Sequence, residues 1–267
     1  MSRRNRPPVV LLAFAAVAGC FLLLPLVGLL ARAPWGELTS TLATSVVIQA
    51  VGVSLVASTG ALVVCLVLGV PLAWVLARVE FPGRSVVRGL VLVPMVLPPV
   101  VGGVALLLAF GPRGLLGGTF DLVGVTVPFT TAATVVAAAF VSMPFLILTT
   151  EAAFASVDQQ YEDVAETLGG SPWHVFRTVT LPMCRHGLLS GATLAWARAL
   201  GEFGATITFA GSIAGVTQTM PLAVYQVLPT SPDAALTISL LLLAISATLI
   251  VSLRSQWLNP LQGRLTS

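Results

Sequence analysis

Two residues of opposite charge lie inside an otherwise apolar segment of this 267-residue chain. Arg198 and Glu202 are four residues apart within residues 188–210, so on a helix both side chains lie on one side. Counted from Leu188, Arg198 is about 15 Å along the helix, close to the centre of a bilayer. An isolated charge there costs on the order of 3 kcal/mol. We therefore expect the two groups to pair with each other or with a neighbour, facing protein or water.

The pair has two interpretations. Either Arg198 attracts an oxyanion on its way through the membrane, or Arg198 and Glu202 form a closed ion pair that fixes helix packing. We favour the closed pair, because a net-neutral pair attracts an anion poorly. Weak binding also suits transport, since a tightly held anion would not leave the path.

The composition excludes several chemistries. The 13 basic residues are all arginine, whereas a P-loop nucleotide site and a Schiff base both need lysine. Cys20, Cys65 and Cys184 have no paired spacing, and with His174 and His186 they form no ligand cluster. The net charge of +3 is too diffuse for nucleic acid. We expect no catalytic site, cofactor, metal site or nucleic-acid partner on this chain.

The balance of apolar and charged residues indicates a membrane protein. Hydrophobic residues make up 57% of the chain and charged residues 9%, against roughly a quarter charged in soluble domains. Helices of about 20 apolar residues cross a bilayer with their backbone hydrogen bonds satisfied. The sequence predicts an all-α membrane protein with a single transmembrane domain over residues 1–267. Six spans are expected, at about 9–31, 46–77, 89–110, 130–150, 188–210 and 233–253.

Arginine placement predicts the orientation of these spans. With the N-terminus inside and the long second segment crossing once, ten arginines are cytoplasmic, two are external and Arg198 is within a span. This bias follows the positive-inside rule. Splitting the second segment would move Arg78, Arg84 and Arg88 to the outer face. The sequence therefore predicts six transmembrane helices with cytoplasmic N- and C-termini.

Prolines interrupt the third predicted span. Pro94, Pro98 and Pro99 remove backbone donors. Pro98-Pro99, followed by Gly102-Gly103, predicts a bend beside a cavity. Pro98 and Pro99 are therefore candidates for lining a path, as are Arg198 and Glu202; a packed kink is the alternative.

A polar segment at about 151–187 lies between the fourth and fifth spans, on the predicted cytoplasmic side. Asp158 is expected to cap a helix that continues to Leu168. Gly169-Gly170 is expected to stop that helix, because glycine accepts the left-handed cap conformation.

A second short helix follows in the same segment. Ser171 is its expected N-cap, with a proline at the first helical position. Trp173, Phe176 and Thr180 share one side, and Pro182 is expected to end the helix. The resulting hairpin has an apolar-aromatic face, so it either lies on the lipid headgroups or docks onto a partner.

The spacing within this segment resembles a cytoplasmic motif of ABC importer permeases. That motif is Glu-Ala-Ala, a glycine after three residues, and Ile-x-Leu-Pro after nine more. This chain has Asp163-Val164-Ala165, Gly169 and Val179-Thr180-Leu181-Pro182 at the same spacing. The three departures, Asp for Glu and Val for Ala and for Ile, keep charge or apolar character.

Three further stretches extend the resemblance to the molybdate branch of the molybdate/sulfate permease family. They are LVPMVLPPVVGG at 92–103, ARALGEFGATITFAG at 197–211 and TQTMPLAVY at 217–225. The similarity covers about residues 40–253, and several motifs occur in the family's order.

The resemblance implies a pore subunit with no enzymatic activity of its own. It implies that the 151–187 segment docks onto a separate ABC ATPase, of which the assembly has two copies. It also implies an external molybdate-binding protein and a second copy of the chain, in a bacterial cell membrane. The substrate would be molybdate, with tungstate as its analogue. The coupling residues carried over are Asp163, Ala165, Gly169, Trp173, Phe176, Val179, Leu181 and Pro182.

Two alternatives stay open. A sulfate or thiosulfate permease shares much of the resemblance, including the Gly-Glu-Phe-Gly core at 201–204. An ion-coupled secondary transporter would need titratable groups along its path. Only Arg198 and Glu202 qualify, and the loop motif would then be unexplained.

Overall fold

The computed structural model describes the backbone of residues 8–262, with side chains described through residue 248 and at 251. Every regular element in that range is a helix, so the all-helical prediction is confirmed. In chain order the helices are α1 (Val9–Ala31), α2 (Leu38–Leu42), α3 (Ser45–Arg78), α4 (Arg84–Val96), α5 (Pro99–Phe110), α6 (Gly117–Leu122), α7 (Thr131–Ser156), α8 (Gln160–Thr167), α9 (Pro172–Val175, the π turn Phe176–Thr180 and Leu181–Met183, continuous), α10 (Arg185–Leu200), α11 (Gly204–Phe209), α12 (Met220–Val227) and α13 (Pro232–Gln262).

The second predicted span is one uninterrupted helix, α3, as the sequence indicated. It contains a π turn, Cys65–Gly69, shortly before Pro71. Proline lacks an amide proton and its ring crowds the preceding turn, which a wider π turn accommodates. Gly69 packs on α7, where an added Cβ would be 3.1 Å from the Leu146 side chain. The glycine therefore lets two long helices approach closely.

The bend predicted in the third span is present. Helices α4 and α5 meet at an angle of 117°. Leu97 and Pro98 are extended, with ψ of 134° and 133°, and Pro99 is the first residue of α5. Since proline disfavours a helical conformation in the residue before it, the consecutive prolines account for the break.

The fifth predicted span, 188–210, is not one helix. Helix α10 ends at Leu200, and α11 begins at Gly204. Between them, the Glu202 Oε1 atom accepts a hydrogen bond from the Ala205 amide at 2.7 Å. This side-chain bond satisfies a backbone donor at the start of α11, and such bonds compete with continuation of the preceding helix.

Helix α7 is the centre of the fold, and it packs against α3, α4, α10 and α11. Small residues allow the close contacts, as in other helical membrane proteins. An added Cβ at Gly187 would be 2.3 Å from the Ala153 Cβ, and one at Gly191 would be 3.2 Å from the Thr149 Cβ. The side of α10 that carries Gly187 and Gly191 therefore faces α7.

Among the described residues, three helices are long and apolar enough to cross a membrane, namely α1, α3 and α7, with the bent pair α4–α5 as a fourth if it counts as one span. None of the residues of α1 is buried. Helices α7 and α13 extend beyond the predicted 130–150 and 233–253. The six-span arrangement and the side on which each terminus lies stay predictions.

Candidate functional site

The segment between α7 and α10 forms a helical hairpin of α8 and α9. Helix α8 ends in a Schellman motif, in which the Gly170 amide donates to the Ala165 carbonyl and the Gly169 amide to the Glu166 carbonyl. Gly169 has φ of +89°, a conformation that residues with a Cβ rarely adopt. The expected glycine stop is therefore confirmed, and it fixes the angle between the two helices.

The start of α9 follows its sequence signal, but its end does not. The Ser171 hydroxyl accepts from the His174 amide at 3.3 Å, and Pro172 opens the helix. Pro182 was expected to end α9, and that expectation is wrong, because helical geometry continues through Met183. The π turn Phe176–Thr180 lies just before this proline, as another lies before the proline in α3.

The two aromatic candidates have different environments. Trp173 is 65% exposed and stacks on Phe176 with ring centroids 5.6 Å apart. Phe176 is half-buried and contacts Trp74 and Phe154, each at 6.2 Å between centroids. Phe176 thus anchors the hairpin to α3 and α7, and Trp173 is free to contact another molecule.

Apolar side chains also cover the outer side of α8. Tyr161, Val164 and Leu168 are spaced as one helical face, and their exposed fractions are 58%, 58% and 84%. These three side chains and the exposed Trp173 of α9 are together called the exposed apolar strip. Asp163 is exposed on the same helix. Such a strip on a polar hairpin is typical of a docking surface.

The remaining motif residues support the hairpin from within. Ala165, Val179 and Leu181 are half-buried, whereas Pro182 is exposed. Val175, which the sequence reasoning did not single out, is 3% exposed, and its Cγ2 would be 3.0 Å from a Cβ added at Gly170. The second glycine is therefore required for packing rather than for its backbone conformation.

A buried ion pair beneath the hairpin was missed by the sequence reasoning. Arg78 Nη2 is 3.1 Å from Glu162 Oε1, and the Thr180 hydroxyl donates to the same carboxylate oxygen at 2.7 Å. The partners are 84 and 18 residues apart in sequence, so no local pattern reveals them. A second pair, Arg88 with Glu151, joins α4 to α7.

Cys184 lies close to this ion pair. Burial raises the pKa of its thiol; the positive charge of Arg78 lowers it and Glu162 raises it to a smaller extent. The thiol is therefore protonated at neutral pH, the form that does not bind metal ions. In the described part of the chain, no group of three or more His, Cys, Asp and Glu residues is placed to hold a metal ion.

Arg198 and Glu202 are in contact across the break between α10 and α11. The distance from Arg198 Nη2 to Glu202 Oε2 is 2.8 Å, with side chains 29% and 2% exposed. The second carboxylate oxygen is bound by the Ala205 amide. Each carboxylate oxygen of Glu202 therefore accepts a hydrogen bond from within the chain. Of the two side chains, only Arg198 is partly exposed at the surface of the structure.

The two broken regions lie against each other. A Cβ added at Gly204 would be 2.3 Å from the Pro99 Cβ, and one at Gly103 would be 2.8 Å from the Ala205 carbonyl oxygen. Helix α5 thus packs directly on α11. The structure brings Pro98-Pro99 and Glu202, far apart in sequence, into one region.

A cleft of about 560 Å³ lies beside this region, and Phe203 and Tyr225 form part of its wall with rings 5.2 Å apart. None of its lining residues is charged. Its wall is mostly apolar, with hydroxyl groups from Tyr225, Ser239 and Ser246.

The long apolar helices define a multi-pass integral membrane protein. A family model described as "Binding-protein-dependent transport system inner membrane component" matches residues 69–260, and the chain belongs to that family. The molybdenum transport system permease protein ModB of Mycobacterium tuberculosis is 46% identical over 239 residues, 88% of this chain and 90% of the relative. The sulfate transport system permease protein CysT of Escherichia coli is 35% identical over 247 residues, 91% and 87% of the two chains.

The fold also matches that of solved transporters. One is the crystal structure of a bacterial alginate ABC transporter in complex with an alginate pentasaccharide-bound periplasmic protein. It is similar with a TM-score of 0.69, covering 91% of this chain and 90% of that chain at 16% sequence identity. At this identity the match establishes the fold alone.

Proposed function

We propose that the chain is the membrane subunit of an ATP-driven importer of molybdate, with tungstate as an alternative substrate. The observation that carries this proposal is the 46% identity, over most of both chains, to a molybdenum transport permease. The sulfate permease is less similar, at 35%, which favours molybdate over sulfate or thiosulfate. Uptake of labelled molybdate by the reconstituted complex tests the proposal.

ATP hydrolysis belongs to a separate subunit in this proposal, since the chain has no lysine for a nucleotide site. The exposed apolar strip of Tyr161, Val164, Leu168 and Trp173 supports the hairpin as the docking surface for that ATPase. The family description and the periplasmic protein in the related crystal structure support an external binding protein as a further partner.

Two copies of the chain and two ATPases would form the transporter, and transport would proceed by alternating access. The functional unit is residues 1–267, with a core at about 40–253. Arg198 and Glu202 would form a closed pair that holds the α10–α11 break, with Pro98-Pro99 beside it. The contacts of Glu202 support this role, because its carboxylate is already satisfied within the chain.

The membrane topology completes the proposal, with six spans and both termini in the cytoplasm of a bacterial cell. The ten-to-two distribution of arginines supports this orientation. In this topology the pair α4–α5 and the pair α10–α11 each count as one broken span. Broken helices within a membrane are tolerated where they are buried in protein or line a cavity.

Single cysteines test this topology in a variant whose native cysteines are replaced by serine. We expect cysteines at Ser85 and Thr167 to react with a membrane-impermeant maleimide only from inside, and those at Thr119 and Ala214 only from outside. All four positions are exposed in the structure, so a lack of reaction reports the side of the membrane. Labelling of position 85 from outside in sealed cells would refute the topology.

A secondary transporter is the competing class. It would carry titratable groups along its path, but the pair Arg198–Glu202 is internally neutral and makes its own contacts. A secondary transporter also has no ATPase to bind, so the exposed apolar strip on the hairpin would be unexplained.

A further inference from the structure

One carboxylate joins the hairpin to the long helix α3. Arg78 is the last residue of α3, and its side chain is 7% exposed. Its Nη2 atom donates to Glu162 in α8 and to the Val157 carbonyl at the end of α7, at 3.1 Å each. The guanidinium therefore binds two other helical segments at once.

The same carboxylate also reaches the second helix of the hairpin. Thr180, 1% exposed, donates its hydroxyl to Glu162 Oε1 at 2.7 Å. This oxygen is consequently shared by Arg78 of α3 and Thr180 of α9, and Glu162 itself belongs to α8. Beside it, Phe176 packs edge-on against Trp74 of α3. The apolar contact fastens α9 to α3, and the ion pair fastens α8 to α3.

We infer that Glu162 is a positioning residue that makes the hairpin and α3 move as one body. This inference rests on the proposed function, in which an ATPase moves the hairpin. Because α3 is 34 residues long, about 50 Å as a helix, a displacement of its hairpin end would be carried across the bilayer. Glu162 therefore links ATP-driven motion to the membrane path.

The energetics favour a rigid link. Both side chains are largely buried, at 7% and 16% exposure, and removing one member of such a pair leaves the other as an uncompensated charge. In the described part of the chain, the Arg78 Nε atom is buried without a hydrogen-bond partner. Without Glu162, the guanidinium would therefore keep only the Val157 carbonyl, and α8 would lose its polar link to α3 while Phe176 still contacts Trp74.

Glu162→Gln is the direct test, in the complex reconstituted with its ATPase and binding protein. We expect the oxyanion imported per ATP hydrolysed to fall by about tenfold, as for the loss of a buried charge partner. Amide hydrogen exchange of residues 160–168 should accelerate by about tenfold as well. Thr180→Val keeps the side-chain shape but removes the hydroxyl donor. It should lower the oxyanion imported per ATP by about threefold and accelerate the hydrogen exchange by about threefold.

Glu80→Gln is the matched control, because it removes an exposed carboxylate two residues from Arg78. Both quantities should stay within about twofold of the unaltered complex, as for most exposed substitutions. If Glu162→Gln behaved like this control, or lowered uptake and ATP hydrolysis in equal proportion, the inference would be wrong. If Glu162→Gln did not assemble, the same two measurements on Thr180→Val would test the inference, and values equal to those of Glu80→Gln would contradict it. An unaltered complex that imports no oxyanion would refute the proposed function instead, and hydrogen exchange would still test the link.

Discussion

Replacing Gly169 with valine is expected to lower import by at least about tenfold while the chain still inserts into the membrane. Gly169 has φ of +89°, and no other atom lies within 4 Å of an added Cβ. The cost is therefore one of backbone conformation, about 1–2 kcal/mol for a residue with a Cβ and more for a β-branched one. The Schellman motif would open, and Leu168 and Trp173 on either side would no longer present one surface.

Gly169→Asn is the matched control for this prediction. Asparagine accepts the left-handed conformation far better than valine does, so this variant should retain most of the import. Import and ATPase assembly are measured for both variants, with membrane content as the reference. Normal import and assembly by Gly169→Val would show that the hairpin is not the docking element.

The Arg198–Glu202 pair gives the second large effect. Arg198→Met leaves the Glu202 carboxylate, 2% exposed, with the Ala205 amide as its remaining donor. We expect a loss of stability of roughly 3 kcal/mol, at the lower end for breaking a buried pair because Arg198 is 29% exposed. Glu202→Met should cost less stability, because the Arg198 side chain that loses its partner is partly exposed. The double variant should recover part of the loss caused by Arg198→Met.

Thermal unfolding, assembly with the ATPase and import are measured for all three variants. Arg185→Met provides the control, because it removes an exposed arginine from the same helix. If Arg198→Met abolished import with normal stability and assembly, while Glu202→Met had no effect, direct contact of Arg198 with the transported anion would replace the closed-pair interpretation.

The hairpin was largely predictable because its signals are local. The Ser171 cap with the following proline, and the left-handed Gly169, occur where residue preferences place them. Pro182 was misjudged because the π turn before it accommodates the proline ring. The Arg78–Glu162 pair was not predictable, since α3 and α8 meet only once the chain has folded around α7.

Of the two breaks in the membrane helices, one was predictable from local sequence and the other depends on tertiary contacts. Consecutive prolines at 98 and 99 predicted the bend between α4 and α5, because proline acts on its own backbone. The break at 201–203 contains no proline, and a single apolar segment appeared continuous. It depends on the bond from the Ala205 amide to Glu202 and on the contact of Gly204 with Pro99. Neither interaction follows from apolar length.

Import of labelled molybdate into proteoliposomes tests the central claim most directly. The vesicles contain the chain and its ATPase, with ATP enclosed and the loaded binding protein outside. We expect uptake that requires ATP and the binding protein, and that persists when excess sulfate is added. Uptake driven by an ion gradient without ATP would contradict the ABC permease assignment, and equal or preferential uptake of sulfate would contradict molybdate as the substrate.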